Sequence, residues 1–373
     1  MRLAIRIALA AGLWLVLGLA WAQRVEGTRA AARGIYQAEV SVNSQRENER
    51  KAGFSRALAQ VLGKLTGDRG IANHPGVAEE LRRAGDYVDS YDYRQDEGLS
   101  PTTGAPTYGT TLIVRFEPER IDDIAAALGL PVWAQPRPKP VLWLAIDDGS
   151  GPRLVGLAKA DAARPLLDRA IERGYRLGLP GGSAAEQAAV GAIWRGDAGV
   201  IARLSGRYQP PLQLIGKLFR SNGGWHADWI FVDHGRVLSR WSSDDASARR
   251  TMAAGADGAA DALVAKYAKA APVGAAGTYR VRFTGIHDAQ DYMRLAAYLR
   301  SLSVVQAITP VRAQGDSLDL DLALVSGIRG LRRVLDEELL QPEGGFDAID
   351  DTEAPAIILP PGTALEPPTF RLR

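Results

Sequence analysis

Hydrophobic and polar positions change period several times along the chain, and each period predicts an element. In the first segment, Ile35 to Val42 alternates with the two-residue period of a strand. Apolar residues then recur at helical spacing and predict an amphipathic helix over Glu47 to Leu65. Four more elements complete a predicted α/β module over residues 35–130: a helix at Val77–Arg83, strands at Tyr87–Gln95 and Thr107–Phe116, and a helix at Pro118–Leu128.

The middle of the chain begins with the apolar run Val141 to Asp147, which is typical of a buried strand. Helical patterns follow at Ala160–Arg173 and Ala188–Ser205. Three strand patterns, LQLIGKLFR, GWHADWIFVD and RVLSRWSSD, then precede a long helix at Ala246–Lys269. This order predicts a middle α/β domain with a mixed sheet over residues 141–270.

The last third has the clearest pattern. YRVRFTGI and VVQAITPVRA predict strands on either side of a helix whose apolar stripe runs from Tyr292 to Leu302. SLDLDLALV alternates leucine with aspartate, and a second helical stripe ends at Leu335. The order βαββα predicts a ferredoxin-like module over residues 278–340. From Pro342 to the end, six prolines and clustered acids predict a mostly disordered tail over residues 342–373.

These patterns predict an α+β / α/β protein made of small modules in series, of which the ferredoxin-like βαββα module is the last. Two stretches echo each other. TLIVRFEPERIDDIAAAL and LDLDLALVSGIRGLRRVL each consist of an alternating strand that runs into an apolar-striped helix. The two end modules are therefore expected to share a plan.

The first 22 residues form a pattern of their own. MRLAIRIALAAGLWLVLGLAWAQ has a basic start, a short apolar run and small residues at Ala20 and Ala22. This is typical of a secretory signal peptide over residues 1–22, with cleavage expected after Ala22. An uncleaved signal that tethers the protein to the inner membrane is the alternative, and no later segment is apolar enough to span a membrane.

The composition indicates the cellular compartment in which the protein works. The 373 residues include no cysteine, so the exported chain can form no disulfide and cannot carry the lipid of a bacterial lipoprotein. These features predict the periplasm. Removal of Arg2 and Arg6 with the signal leaves 43 Lys+Arg against 43 Asp+Glu. A formally neutral mature chain gives no reason to expect a nucleic-acid partner.

One stretch, RALAQVLGKLTGDRG, looks at first like a phosphate-binding loop. A P-loop needs Gly-Lys followed directly by Ser or Thr at the start of a helix. Here Leu65 follows Lys64, and Gly63 lies near the end of the predicted helix, where the partial charge is negative. Gly67 and Gly70 are better explained as residues that end the helix.

Other catalytic and metal patterns are weak. His74, His226, His234 and His287 show no HxxxH or HxH spacing, and surface or hairpin positions explain them better than a metal site. No serine lies in a GxSxG motif. We expect no cofactor and no metal.

Two sets of residues remain as candidate sites. Asp147 and Asp148 follow a middle-domain strand at its carboxyl end, where α/β folds place ligands. Local hydrogen bonding in an Asp-Gly turn also explains aspartates at this position. In the aromatic strand, Trp225, Trp229 and Phe231 share one face, with Trp241 on the next strand. An exposed face of this kind binds sugar rings or a partner chain, whereas a face buried under the long helix is core, the favoured interpretation.

Three stretches together resemble the uncharacterised exported bacterial domain-of-unknown-function family 2066. They are YQAEVSVNSQRENERKAGFSRALAQVLGKLTGDRG, LSGRYQPPLQLIGKLFRSNGGWHADWIFVD and DYMRLAAYLRSLSVVQAITPVRAQGDSLDLDLAL. The resemblance covers about Ile35 to Leu335 and implies no catalytic residue. More distantly, the first and middle segments resemble modules of periplasmic assembly factors, the flagellar assembly protein T and the Tol translocation protein B, a likeness of fold alone.

The function predicted from these features is that of a non-enzymatic periplasmic factor that binds unidentified periplasmic or envelope proteins. An envelope hydrolase or glycan-binding protein is the alternative. It would use Asp147 and Asp148 as paired carboxylates and the face of Trp225 and Trp229 for a glycan.

Overall fold

The computed structural model describes residues 34–99, 105–208, 212–343 and 367–373. The predicted signal peptide therefore lies outside the described residues. The described chain divides into two compact units. One unit is continuous and covers residues 136–263, and the other is made of two separate stretches, 32–135 and 264–373. The middle of the sequence is thus an insertion within a discontinuous unit.

The first stretch of the discontinuous unit contains one antiparallel sheet of three strands in the order β1-β3-β2. Its strands are β1 (Gln37–Val42), β2 (Val88–Leu99) and β3 (Pro106–Phe116), followed by a short strand β4 (Pro131–Val132). Its helices are α1 (Glu47–Thr66), α2 (Val77–Arg82) and α3 (Pro118–Ala127), with 3-10 turns at Ile71–Asn73 and Ala84–Tyr87.

Helix α1 forms because its apolar residues lie on one face, which buries Leu58, Val61 and Leu62 against the sheet. It ends at Gly67, whose φ of 76° is left-handed and whose amide donates to the Gly63 carbonyl at 2.9 Å. The side chain of Lys64 is buried and its Nζ donates to the Gln37 carbonyl at 2.7 Å. Lys64 therefore serves the packing of α1 on β1, and Gly67 ends the helix as expected.

The middle unit is built on a five-stranded mixed sheet in the order β6-β5-β7-β8-β9, in which only β5 and β7 are parallel. The strands are β5 (Val141–Asp147), β6 (Arg153–Leu154), β7 (Leu212–Ser221), β8 (Gly224–Asp233) and β9 (Arg236–Asp245). The helices are α4 (Arg164–Glu172), α5 (Ala184–Gln187), α6 (Val190–Arg195), α7 (Ala198–Leu204) and α8 (Ala248–Tyr267), with 3-10 turns at Leu157–Ala163 and Ser205–Arg207.

The prediction of a single helix over Ala188–Ser205 was wrong, because the chain forms two separate helices, α6 and α7, there. Gly196 ends α6 with a left-handed φ of 69°. Asp197 then caps α7, since its carboxylate accepts from the Val200 amide at 3.0 Å. The short helices pack on the face of the sheet that carries Trp143, whose Nε1 donates to Ser205 Oγ at 2.8 Å.

The second stretch of the discontinuous unit contains a five-stranded sheet in the order β12-β13-β11-β15-β14. The elements are β10 (Lys269–Ala270), β11 (Gly277–Thr284), α9 (Ala289–Ser301), β12 (Val305–Gln314), β13 (Ser317–Leu324), α10 (Gly327–Val334), β14 (Leu340–Glu343) and β15 (Thr369–Leu372). The βαββα order is confirmed in β11-α9-β12-β13-α10, with β13 antiparallel to both β11 and β12.

The tail requires a correction. A disordered segment was predicted from Pro342 on, but the last residues form β15, which lies parallel to β11 and antiparallel to β14. The reason is the alternation of Phe370 and Leu372, which point into the core. Phe370 is fully buried and stacks on Phe283 with ring centroids 6.0 Å apart. Residues 344–366 of the predicted tail lie outside the described residues.

The two stretches of the discontinuous unit share one plan and one core. Both follow the order βαββα, to which the first stretch adds the short helix α2, and both place the third strand between the first and the second, as β1-β3-β2 and as β11-β13-β12. Helices α3 and α10 pack so closely that a Cβ on Gly330 would lie 2.8 Å from the Ala127 carbonyl oxygen. The predicted modules at 35–130 and 278–340 are therefore halves of a single packed unit.

Candidate functional site

A groove of about 330 Å³ opens on the middle unit beside the end of α6. Its apolar lining includes Ile215 of β7 and Ile230 of β8, which lie opposite each other in the sheet, and the half-buried Trp194 of α6. Gly196 allows α6 to end this close to the sheet, because a Cβ there would lie 2.9 Å from Ile230 Cδ1. The groove therefore has the half-buried ring of Trp194 beside aliphatic side chains that are buried beneath it.

The charged side chains of this groove are unequally paired. Lys217 Nζ lies 3.0 Å from Asp228 Oδ2. Partial burial acts to raise the pKa of Asp228, but hydrogen bonds from Lys217 and His226 lower it overall. Arg195 and Arg240 also line the groove, and neither has an ion-pair partner among the described residues. Two arginines without an ion-pair partner among the described residues thus line the groove.

His226 lies at one side of this region, between two carboxylates. Its Nδ1 is 2.6 Å from Asp244 Oδ1 and its Nε2 is 3.1 Å from Asp228 Oδ1. The hydrogen bond to Asp244 raises the pKa of His226, burial opposes it, and Asp228 adds to the increase. Because both ring nitrogens are engaged by carboxylates, the protonated form of His226 is favoured, and neither nitrogen is open to serve as a metal ligand or a general base.

The paired His226 predicts a pH-dependent contribution to stability. Because its folded pKa is raised, this contribution is fully present below the unfolded pKa and is lost as the pH rises through the folded pKa. We expect His226→Gln to lower the free energy of unfolding by less than about 1 kcal/mol at pH 5.5. The difference should shrink by pH 8.5, as measured by urea denaturation at both pH values. A difference that grows with pH would contradict the assignment.

Asp147 and Asp148 are placed at the turn after β5, where each makes local hydrogen bonds. Asp147 Oδ1 accepts from the amides of Gly149 and Gly151 at 2.9 and 3.0 Å. Asp148 Oδ1 accepts from the hydroxyl of Ser150 at 2.6 Å, which lowers the pKa of Asp148. A general acid needs a raised pKa, so the geometry supports turn formation and does not support the paired acid and base of a hydrolase.

The aromatic face is a packing face beneath α8. Trp229 and Phe231 are fully buried, and a Cβ on Gly255 of α8 would lie 2.5 Å from Trp229 Cζ2. Trp241 is half-buried against Gly258 of the same helix. The glycan-binding alternative on this face is therefore corrected, because the helix covers the rings that a sugar would need.

Trp225 completes the set of predicted site residues. It is half-buried at the start of β8, and the guanidinium carbon of Arg220 lies 4.2 Å above its ring centroid. This cation–π contact occupies one face of the indole. Trp225 therefore shares neither an open aromatic platform with Trp229 nor the groove described above.

The groove residues were missed by the sequence analysis, although one signal for them exists. Asn222 and Gly223 both have positive φ and form a two-residue hairpin turn between β7 and β8. This turn fixes the register that places Lys217 opposite Asp228. The positions of Trp194 and Arg195 had no such signal, because they depend on how α6 packs on the sheet.

Some classes of site are not found in the part of the chain that the structure describes. None of its helices is long and apolar enough to cross a membrane. Among the same residues, no three His, Cys, Asp or Glu side chains are grouped so that they could hold a metal ion.

Comparison with known proteins gives one finding. Residues 30–134 match the model of a family described as Domain of unknown function (DUF8605). No curated protein and no solved structure matches the chain. The matched residues correspond to the first stretch of the discontinuous unit and to well under half of the chain. Over that stretch, the protein is thus similar to a family of unknown function.

Proposed function

We propose that this protein is an exported periplasmic factor that binds other envelope proteins and acts without catalytic chemistry of its own. Export is supported by the signal-like pattern of residues 1–22, and the wider resemblance to family 2066 agrees with it. The binding role is carried by one observation, the groove of the middle unit with its two arginines that have no ion-pair partner among the described residues.

The chemistry of the groove favours an acidic protein segment as its ligand. Guanidinium groups bind carboxylates through paired, charge-assisted hydrogen bonds, and Arg195 and Arg240 are available for this at the groove. The half-buried ring of Trp194, which lies over the buried Ile215 and Ile230, suits one aliphatic or aromatic side chain of the same segment. A short acidic segment with one large apolar residue fits both features.

In-cell photo-crosslinking tests this proposal. A photo-reactive residue at Ser242, which is exposed and lines the groove, should capture a specific envelope protein. The same residue at Asp148, an exposed turn position of the same unit, should not capture it. Arg195→Gln combined with Arg240→Gln should weaken capture by about 100-fold or more, because each charge-assisted bond contributes about 1.5–3 kcal/mol.

Two outcomes would contradict the proposal. Equal capture from Ser242 and Asp148 would show that the partner contacts the protein outside the groove. Unchanged capture by the double arginine variant would show that binding does not use the charge of the two arginines. The melting temperature of the double variant should equal that of the parent, since neither arginine has an ion-pair partner among the described residues.

The mass of the protein recovered from the periplasm tests export separately. We propose a mature chain that begins after Ala22. Recovery of the full-length chain from the inner membrane would instead support the tethered alternative, in which the signal is retained.

A further inference from the structure

Strand β2 is a long edge strand in the discontinuous unit. It has twelve residues and pairs with β3 on one side, and among the described residues it has no strand on the other. Its register with β3 is regular from Ser90 to Leu99. Ser90, Tyr91, Asp92, Arg94 and Gln95 are all exposed, so no other part of the described chain covers this edge.

The direction of the backbone groups on the outer side of β2 follows from Tyr93. Its amide donates to the carboxylate of Asp92 at 2.7 Å, so this N–H is directed to the open edge. Because a strand has a period of two, the amides of Tyr91 and Gln95 have the same direction. An incoming strand would meet outward amides at Tyr91 and Gln95, and at Tyr93 it would replace the carboxylate of Asp92 as the acceptor.

The comparable strand of the other half is protected against such pairing. Strand β12 also lies at the edge of its sheet, but it contains Pro310 and two shifts of register. Proline and bulges are devices by which proteins block edge-to-edge pairing. The described part of β2 has neither a proline nor a shift beyond Ser90. The shared plan of the two halves therefore makes the open edge of β2 a distinctive feature.

Charge indicates which strand would fit. Four side chains of β2 are acidic, Asp89, Asp92, Asp96 and Glu97, and its single basic residue is Arg94. Arg94 is already paired with Glu39 and Asp96, both at 2.8 Å. Arg50 lies over the Tyr91 ring and Arg115 donates to Ser90, so the acidic excess lies toward the end of β2 that carries Asp96 and Glu97. That end repels a second copy of itself and attracts a basic segment.

The other face of β2 adds an apolar requirement. Tyr91 is 47% exposed and packs edge-on against Phe54 of α1 with ring centroids 5.3 Å apart. Tyr93 lies next to Tyr91 on this face, with centroids 6.0 Å apart. A strand placed beside β2 would cover Tyr91 with its own apolar side chains.

We propose that β2 accepts an extended segment of a partner protein, in which Lys or Arg alternates with apolar residues, as a fourth strand of the sheet. Backbone hydrogen bonds supply affinity in this mode, and alternate side chains supply specificity. The basic side chains would lie beside Asp92 and Asp96, and the apolar ones beside Tyr91 and Tyr93. This surface is separate from the groove and does not depend on the groove's function.

A fluorescent synthetic peptide of alternating lysine and valine tests the proposal on the mature full chain. We expect binding by fluorescence anisotropy at physiological salt, and none by the matched peptide with glutamate in place of lysine. Asp92→Lys should weaken binding at least 10-fold. Asp148→Lys, which changes an exposed acid away from β2, should leave binding unchanged.

Two further measurements separate strand addition from simple charge attraction. Gln95→Pro removes an edge-facing amide at a position where an edge strand tolerates proline, so it should weaken binding while the melting curve stays cooperative. Amide hydrogen exchange of the parent should slow at Tyr91, Tyr93 and Gln95 when the peptide is bound. Unchanged exchange at these amides, equal weakening by Asp148→Lys, or self-association of the chain through β2 would overturn the proposal.

Discussion

A chain that lacks residues 136–263, with Gln135 joined to Val264 by a short Gly/Ser linker, is expected to fold cooperatively. The point where the chain leaves the discontinuous unit lies beside the point where it returns. Strand β4 pairs with β10, with Val132 opposite Lys269, so a short flexible linker can bridge the gap. The shared core of the two halves lies within this unit.

The excised protein carries its own probe. Trp133 would be its sole tryptophan if the chain also began at residue 32, and this side chain is 1% exposed. Its amide donates to the Leu65 carbonyl at 2.9 Å, which ties it to the end of α1. We expect a single urea transition at which the fluorescence of this tryptophan and the circular dichroism change together.

The matched control is the fragment of residues 32–135, which approximates the stretch that matches the family model. It lacks β10–β15, α9 and α10, and so the face of α3 that packs on α10 would be exposed. We expect this fragment to lose its cooperative transition. The free energy of burial that is lost with the second half of the core should exceed the net stability of a typical domain, which is about 5–15 kcal/mol. If the fragment unfolds as cooperatively as the excised protein, the two halves do not depend on a shared core. If the excised protein is unfolded, the discontinuous unit does not fold without the middle unit.

Gly255→Ala is expected to destabilise the protein, although alanine normally stabilises a helix interior by about 1 kcal/mol relative to glycine. The added Cβ would lie 2.5, 2.6 and 2.7 Å from Cζ2, Cε2 and Cη2 of Trp229. The ring cannot withdraw, because a Cβ on Gly216 would also lie 2.2 Å from its Cζ3. We expect a loss of about 1–3 kcal/mol in the free energy of unfolding, measured by urea denaturation.

Two variants control this result. Gly206→Ala adds a methyl group where nothing lies within 4 Å, so it should change stability little. Combining Gly255→Ala with Trp229→Phe should cost less than the sum of the single changes, because the smaller ring makes room for the methyl group. A stabilising effect of Gly255→Ala would contradict the buried placement of Trp229, and strong acrylamide quenching of this tryptophan would do the same.

The two candidate sites differ in how far the sequence predicted them. Asp147 and Asp148 were located correctly at the end of β5, and the local Asp-Gly turn already offered a reason for their presence. The face of Trp225, Trp229 and Phe231 was also recognised by its two-residue period. Only the packing of α8 decided that Trp229 is core, because period alone does not show which face is covered.

The sequence by itself determined most strands and helices, since residues near each other along the chain set the period, the caps and the hairpin turns. The βαββα order of β11 to α10 and the end of α1 at Gly67 are examples. Tertiary structure alone decided which elements share a core. The pairing of β15 with β11, the packing of α3 on α10 and the meeting of Trp194, Arg195 and Arg240 at one groove all join residues far apart in sequence. Such contacts depend on how complementary surfaces pack, and no local pattern encodes that.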